Sequence, residues 1–171
     1  MRKYLISLVC VFAFVCFTNA AMAKDDPGKG LYLPGDITLE QAQIAINAGL
    51  AKAGEQGTLM DIAIVDAGGN LKAFSRMDGA FLASIDISIK KAKSARGLNM
   101  STGTLHDAAV PGQELYGIEV TNNGMVIFGG GELIKNNEGT IIGAIGVSGS
   151  SVANDTEVAR AGAAAVLATF K

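Results

Sequence analysis

The first 23 residues constrain this chain most, because they have the order of a segment that is removed before the protein folds. Residues 1–3 are a short basic start, residues 4–17 are apolar except for Ser7, and small residues close the segment at 21–23. This order is typical of a secretory signal peptide, and the apolar run is shorter than the roughly 20 residues of a spanning helix. We expect cleavage after Ala23, which predicts an exported protein, periplasmic or secreted, with no membrane insertion after cleavage.

The 148 residues that remain after this cleavage have a restricted chemistry. Both cysteines, Cys10 and Cys16, lie in the segment that is removed, so the mature chain has no disulfide and no thiolate ligand. Arg2 and Lys3 are removed as well, which leaves 12 basic and 16 acidic residues and a net charge of −4. An acidic chain without a basic stripe is a poor candidate for binding nucleic acid.

The first half of the mature chain has clear periodicity. Residues 24–36 are polar and rich in Gly and Pro, which predicts a flexible lead-in, and residues 37–171 form a single domain. Thr38 and Gln41 make a capping box that begins a helix reaching about residue 56. Residues 60–65 and 71–76 are predicted as a β-hairpin around a turn at 66–70.

A second helix is predicted over residues 80–98, with Phe81, Ile85, Ile89 and Ala92 on its buried side. Its basic residues Lys90, Lys91, Lys93 and Arg96 are interpreted as complementing the helix dipole and aiding solubility, and anion binding is the less favoured alternative.

The second half is predicted from turn residues and apolar runs. We expect a short helical turn from Ser101 or Thr102 to residue 106, a second hairpin over 115–120 and 124–128, and a connector over 129–134. A strand over 140–147 and an alanine-rich helix capped by Asn154 or Asp155, ending near Phe170, complete the domain. This last helix has a flat face suited to self-association, formed by Val158, Ala161, Ala165 and Ala168. The fold class is α+β, with a five-stranded antiparallel sheet flanked by helices.

Glycines and the single histidine are the candidate site features. Residues 143–149 contain glycines three apart, but they run along a predicted strand, so close packing is favoured over phosphate binding. Gly129-Gly130-Gly131 predicts an exposed, pliable backbone that could form a pocket rim. His106 alone cannot build the usual zinc site. Two roles remain open for His106: a surface imidazole without a specific function, or a ligand to haem iron.

Six stretches together resemble the GlcG/HbpS family of haem-binding or haem-degrading domains, which is related to the C-terminal part of PduO proteins. The resemblance runs from about residue 37 to the C-terminus. The stretches are Asp61–Leu71, Arg76–Ala80, Lys90–Ala95, Leu115–Glu119, Gly129–Gly131 and Gly143–Gly149.

The resemblance implies a haem cofactor and homo-oligomers, with a membrane sensor kinase as a further candidate partner. It implies a haem near residues 100–106, with His106 and Thr104 as candidate axial contacts and His106 as the metal ligand. Arg76 is the candidate for a propionate contact, and Met77 and Phe81 are candidates for porphyrin contacts. Family members commonly carry proline where this chain has Gly129, so the loop is expected to be looser here.

The sequence therefore predicts an exported haem-binding protein that holds or buffers haem, for redox sensing or for slow haem degradation. Whether it is an enzyme stays open, because no acid–base constellation is visible and bound haem can itself activate oxygen. The alternative is an oligomeric accessory protein that binds another small ligand or a partner, without haem.

Overall fold

A computed structural model describes residues 35–170 of the chain. The predicted signal peptide (1–23) and nearly all of the predicted lead-in (24–36) lie outside these residues. Within the described part, no helix is long and apolar enough to cross a membrane.

Four α-helices, one 3₁₀ turn and four strands make up the described chain. In chain order they are α1 (Leu39–Gln56), β1 (Asp61–Asp66), β2 (Leu71–Arg76), α2 (Leu82–Leu98), α3 (Thr102–Ala109), the 3₁₀ turn (Ile118–Val120), β3 (Gly131–Lys135), β4 (Ile141–Ser148) and α4 (Val152–Leu167). The predicted capping box is confirmed: the Thr38 hydroxyl accepts the backbone N–H of Gln41, and the Gln41 side chain accepts that of Thr38.

The four strands form one antiparallel sheet in the order β2-β1-β4-β3. The predicted hairpin of β1 and β2 is confirmed, and Asp66 closes its turn by accepting the backbone N–H groups of Gly68 and Asn70 at 2.8 Å each. The α+β class is therefore correct, and the central strands are β1 and β4.

The predicted five strands are wrong, because residues 115–128 do not form a hairpin. Residues 118–120 form the 3₁₀ turn instead, and Gly117, Asn122, Asn123 and Gly124 all have positive φ. The left-handed Gly117 and the 3₁₀ turn both lie within the first predicted strand, so that stretch lacks the extended backbone that pairing needs. The strand that does form is β3, in the stretch predicted as a connector.

Helices α1 and α4 cover one face of the sheet. Gly49 of α1 and Gly162 of α4 allow this close approach, since a Cβ at Gly162 would lie 2.8 Å from the Ala45 carbonyl oxygen. Val158, assigned above to a self-association face, is buried against α1 of the same chain. Ser151, and not Asn154 or Asp155, caps α4, and the helix ends at Leu167.

Helix α2 covers the other face through small side chains. Its buried face carries Ser84, Ser88, Ala92 and Ala95, whereas Phe81, predicted on the buried side, is exposed. Gly146 of β4 lies directly beneath, and a Cβ there would clash with the carbonyl oxygen of Ser88. The glycines of residues 143–149 therefore serve packing, as the strand context predicted.

The two edge strands carry charged side chains, and one of them, β2, contains a bulge. Strand β2 bulges at Lys72, whose ammonium lies 3.2 Å from the carboxylate of Asp36. On β3, Glu132 pairs with Arg160 of α4 at 3.2 Å, and Lys135 is exposed at the end of the strand. Ile37 is fully buried, so the described chain is anchored from its first residues.

We predict that Gly146→Ala lowers the free energy of unfolding by at least 1–3 kcal/mol, roughly the cost of overpacking a core, because the new methyl group meets backbone atoms that cannot move aside. Gly54→Ala is the matched control, since Gly54 lies in α1 with open space around it, and it should stabilise the protein by about 1 kcal/mol. Urea denaturation measures both, and equal effects of the two variants would contradict the packing argument.

Candidate functional site

One end of the sheet gathers most of the candidate residues. Register pairs Asp61 with both Arg76 and Ser148, so the start of β1 and the ends of β2 and β4 lie side by side. Gly130 accepts the backbone N–H of Val147, which brings the start of β3 to the same end. Exposed apolar side chains surround it, and we call them the sheet-end surface: Leu59, Phe81, Leu82, Phe128 and Val152.

A buried ion pair lies beneath this surface. The Lys91 ammonium of α2 is fully buried and donates to the Asp155 carboxylate of α4 at 2.7 Å and to the carbonyl oxygen of Val147 at 2.8 Å. Asp155 also accepts the backbone N–H of Ser150 at 3.1 Å. Burial lowers the pKa of Lys91 and raises that of Asp155, and their mutual attraction opposes both shifts.

The glycine triplet closes over this ion pair. Gly129, Gly130 and Gly131 are buried, so the expectation of an exposed, pliable rim is wrong. Gly130 has a φ of 109°, and a Cβ there would lie 2.8 Å from the Lys91 ammonium. At Gly129 a Cβ would lie 2.7 Å from the Thr156 hydroxyl, so the glycine here permits tight packing and does not loosen the loop.

Phe128 completes the cover of the ion pair on its outer side. Its ring centroid lies 4.8 Å from the Lys91 ammonium, a distance typical of a cation–π contact. The ring is also partly exposed, so one of its faces can meet a ligand while the cation holds it in place.

His106 lies on the exposed side of α3, and its ring orientation is defined by a hydrogen bond. Its Nδ1 lies 3.2 Å from the carbonyl oxygen of Ile127, next to Phe128. A carbonyl only accepts, so in the neutral ring this contact favours the proton on Nδ1 and leaves the lone pair on Nε2. This is the tautomer that can ligate a metal through Nε2.

Thr104 does not face the same way as His106. Residues two apart on an α-helix point to different sides, and the Thr104 hydroxyl is 2.9 Å from that of Ser101 at the helix N-cap. The two candidate axial contacts therefore do not form one ligand pair within the chain.

Arg76 and Phe81 lie together at the connection between β2 and α2. One guanidinium nitrogen of Arg76 donates to the carbonyl oxygen of Ala80 at 3.2 Å, which leaves its other N–H groups available. The Phe81 side chain is 69% exposed and lines a cavity of about 240 Å³ together with Gly149 and Ser150.

Met77 is directed inward. It packs against the main core, and its sulfur accepts the backbone N–H of Met60 at 3.3 Å. This placement gives Met77 a packing role.

The two groups of candidates occupy opposite sides of the sheet-end surface. Arg76 ends β2, one edge strand, whereas His106 contacts the segment just before β3, the other edge strand. Three strand intervals separate the edges, a span of about 14 Å. A ligand that contacts both groups must therefore be large enough to span this end of the sheet.

Asp61 is the other buried charge at this end. Its side chain is fully buried, and within residues 35–170 neither carboxylate oxygen has a hydrogen-bond partner. Burial raises its pKa, and the charge of Arg76 partly opposes this. Among the described residues, no group of three or more His, Cys, Asp or Glu side chains is arranged to hold a metal ion.

Sequence reasoning missed Lys91, Asp155 and Phe128. The spacing of residues in α2 could have identified Lys91 as buried. It lies three residues after Ser88 and four before Ala95, on the face of α2 that carries small residues. A lysine on such a face predicts a buried cation that needs a carboxylate. The neighbouring Asp86–Lys90 pair is the ordinary surface contact that i,i+4 spacing predicts, at 2.8 Å.

We predict that Lys91→Met lowers the free energy of unfolding by about 3–5 kcal/mol, because it leaves Asp155 buried without its cation. The double variant Lys91→Met, Asp155→Leu should recover most of that loss, except for about 1 kcal/mol from the unpaired Ser150 N–H. Denaturant titration measures both variants. A double variant no more stable than the single one would refute this account.

We predict that Asp61→Asn raises the free energy of unfolding at pH 7 by roughly 1–3 kcal/mol, because it removes an unpaired buried charge. The folded-state pKa of Asp61 is raised, so the wild type loses stability as pH rises from about 4 through that pKa. The advantage of Asp61→Asn should therefore shrink as pH falls toward 4. Unfolding curves between pH 4 and 8 measure it, and a pH-independent difference would rule the explanation out.

Comparison with known proteins places this chain in a family. Residues 37–164 match the family described as "Haem degrading protein HbpS-like". An uncharacterised 15.0 kDa protein from the dhaT–dhaS intergenic region of Citrobacter freundii is 45% identical over 120 residues, which cover 70% of this chain and 84% of that protein.

Solved structures agree with this match. The Klebsiella pneumoniae protein ORFY superimposes with a TM-score of 0.74 at 40% identity, covering 81% of this chain and 94% of that one. The haem complex of PduOC superimposes with a TM-score of 0.72 at 32% identity, covering 76% and 94%. The chain therefore belongs to the HbpS-like family, as its sequence motifs predicted, and it is related to the PduO C-terminal domain.

Proposed function

We propose that this protein binds haem at the sheet-end surface, where the Nε2 of His106 would hold the iron. The observation that carries the proposal is the hydrogen bond from Nδ1 of His106 to the Ile127 carbonyl, which leaves Nε2 able to bind a metal. The family description and the haem bound by PduOC support the choice of ligand.

The chemistry of the residues fits this cofactor. A haem site combines a side chain that binds the iron, histidine being a common one, with apolar cover for the porphyrin, and a cation near the propionates adds a charge-assisted bond. His106 offers the nitrogen donor, and the sheet-end surface offers partly exposed apolar side chains, including Phe128 and Val152. Arg76, at the end of the opposite edge strand, suits a propionate of a ring that extends over this end of the sheet.

Each residue has a distinct task in this proposal. Bound haem supplies an iron that exchanges electrons and activates oxygen. The Ile127 carbonyl orients the imidazole, and the buried Lys91 cation keeps the Phe128 ring at the surface. Because no clustered acid–base groups accompany His106 in the described residues, its role is to hold the cofactor, and slow haem degradation would need no further side chain.

The proposal extends to location and assembly. The signal-like segment at 1–23 supports export to a periplasm or to the medium, with cleavage after Ala23. The uncovered apolar side chains of the sheet-end surface support homo-oligomers, since such patches mark interaction sites. A membrane sensor kinase remains the proposed partner for a redox-sensing role.

We predict that haemin titrated into the mature protein gives a Soret band that saturates at a fixed ratio per subunit, and that His106→Ala shifts this band and weakens affinity at least tenfold. The loss follows from removing the axial nitrogen, a change of about 1.4 kcal/mol or more. Absorbance with co-elution on size exclusion measures both.

Asp107→Ala is the matched control, because Asp107 is the exposed neighbour of His106 on α3. It should leave the band and the affinity unchanged. An unsaturable absorbance, or a band that His106→Ala does not alter, would refute the assignment.

A further inference from the structure

We propose a second ligand site in this protein, a cavity between the outer side of α2 and the Thr121–Met125 turn that binds a small organic anion with an apolar body. The cavity has a volume of about 350 Å³, larger than the one beside Phe81, and lies within the range of small-molecule sites. Neither His106 nor Arg76 lines it, so it is distinct from the proposed haem surface.

The charge at this cavity favours an anion. Lys90 and Lys93 lie three residues apart on α2, so both side chains project from the same side of the helix. Asp86 pairs with Lys90 at 2.8 Å, whereas Lys93 has no carboxylate within 4.0 Å among the described residues. One lysine is therefore left to meet a ligand carboxylate, sulfonate or phosphate.

The rest of the lining favours a ligand that also has an apolar part. Ile89 and Leu98 of α2 and Met125 of the turn contribute hydrocarbon and thioether surface. A methionine adapts its shape to an irregular ligand. A simple inorganic anion would leave this apolar surface in contact with water, so an aromatic or branched organic anion fits better.

Gly97 keeps the cavity open. A glycine inside a helix costs about 1 kcal/mol relative to alanine, and close packing accounts for it at Gly49 of α1 and Gly162 of α4. At Gly97 no atom lies within 4 Å of the place of a Cβ, so packing does not require glycine there. The missing side chain instead leaves room on the cavity wall.

The turn opposite α2 carries polar groups at the mouth of the cavity. Asn122 and Asn123 are exposed and have left-handed backbone, with φ of 51° and 61°. Asparagine adopts this conformation at lower cost than most residues. The Asn122 amide already donates to the Thr121 hydroxyl at 2.9 Å, which braces the turn, so the Asn123 amide is the one that can donate to the anionic group that Lys93 attracts.

The test uses two probes of similar shape, the anion 8-anilinonaphthalene-1-sulfonate and the neutral N-phenyl-1-naphthylamine, titrated by fluorescence into the mature, haem-free protein. Lys93→Gln should weaken binding of the sulfonate roughly tenfold, the loss of one charged hydrogen bond, and leave the neutral probe within twofold. Lys135→Gln, at the end of β3, is the charge control and should change neither.

A second pair of variants tests the volume. Gly97→Leu should abolish binding of both probes by filling the cavity, whereas Gly54→Leu, at a helix glycine with open space in α1, should retain both. Sulfonate binding that survives Gly97→Leu, or that Lys93→Gln and Lys135→Gln weaken equally, overturns the proposal.

The haem assignment and this site are separable by experiment. His106→Ala should leave sulfonate affinity unchanged, and one equivalent of haemin should leave the sulfonate bound. Displacement of the sulfonate by haemin would overturn the second site, whereas failure of haemin to bind at all would refute only the haem proposal.

Discussion

The buried ion pair of Lys91 and Asp155 is the contact on which the arrangement of this domain depends. It joins α2 on one face of the sheet to α4 on the other, and through the Val147 carbonyl it also holds the end of β4 between them. An ammonium in such surroundings is tolerated only with full hydrogen bonding, so helix positions on both faces are coupled to a single side chain. The glycine triplet and the Phe128 ring complete the enclosure. The shape of the sheet-end surface therefore depends on the ion pair that lies beneath it.

Local signals in the sequence were sufficient for the elements whose residues agree with one another. The capping box at Thr38, the Asp66 turn and the apolar strand before Ser148 each contain both a start signal and a period, and each formed within two residues of its predicted bounds. The prediction for residues 115–128 failed because two apolar runs around a turn signal suggested a hairpin, whereas the left-handed Gly117 and a 3₁₀ turn interrupt the first run. Strand β3 was missed because the run of three glycines at its start does not suggest a strand. Its stability comes from pairing with its neighbour, β4, and not from its own side chains.

The candidate site was predictable only in part, for a reason of geometry. His106 and Phe81 could be named as candidate haem contacts, but their separation depends on strand order, and no local pattern encodes that order. Lys91 was misread because its sequence neighbours, Lys90 and Lys93, are solvent-accessible cations, and a step of one residue, about 100° around the helix, separates a solvated charge from a buried one. The tautomer of His106 depends on a carbonyl 21 residues away.

The sheet edges restrict how copies of this chain can associate. Bare edge strands let sheets join through backbone hydrogen bonds, and proteins prevent this with charges and bulges. Here the bulge at Lys72 with its Asp36 partner interrupts one edge, and the Glu132–Arg160 pair and Lys135 place charges along the other. A continuous intermolecular sheet is therefore disfavoured at both edges. Any association between copies of this chain would therefore use side-chain surfaces and not backbone hydrogen bonds shared between sheets.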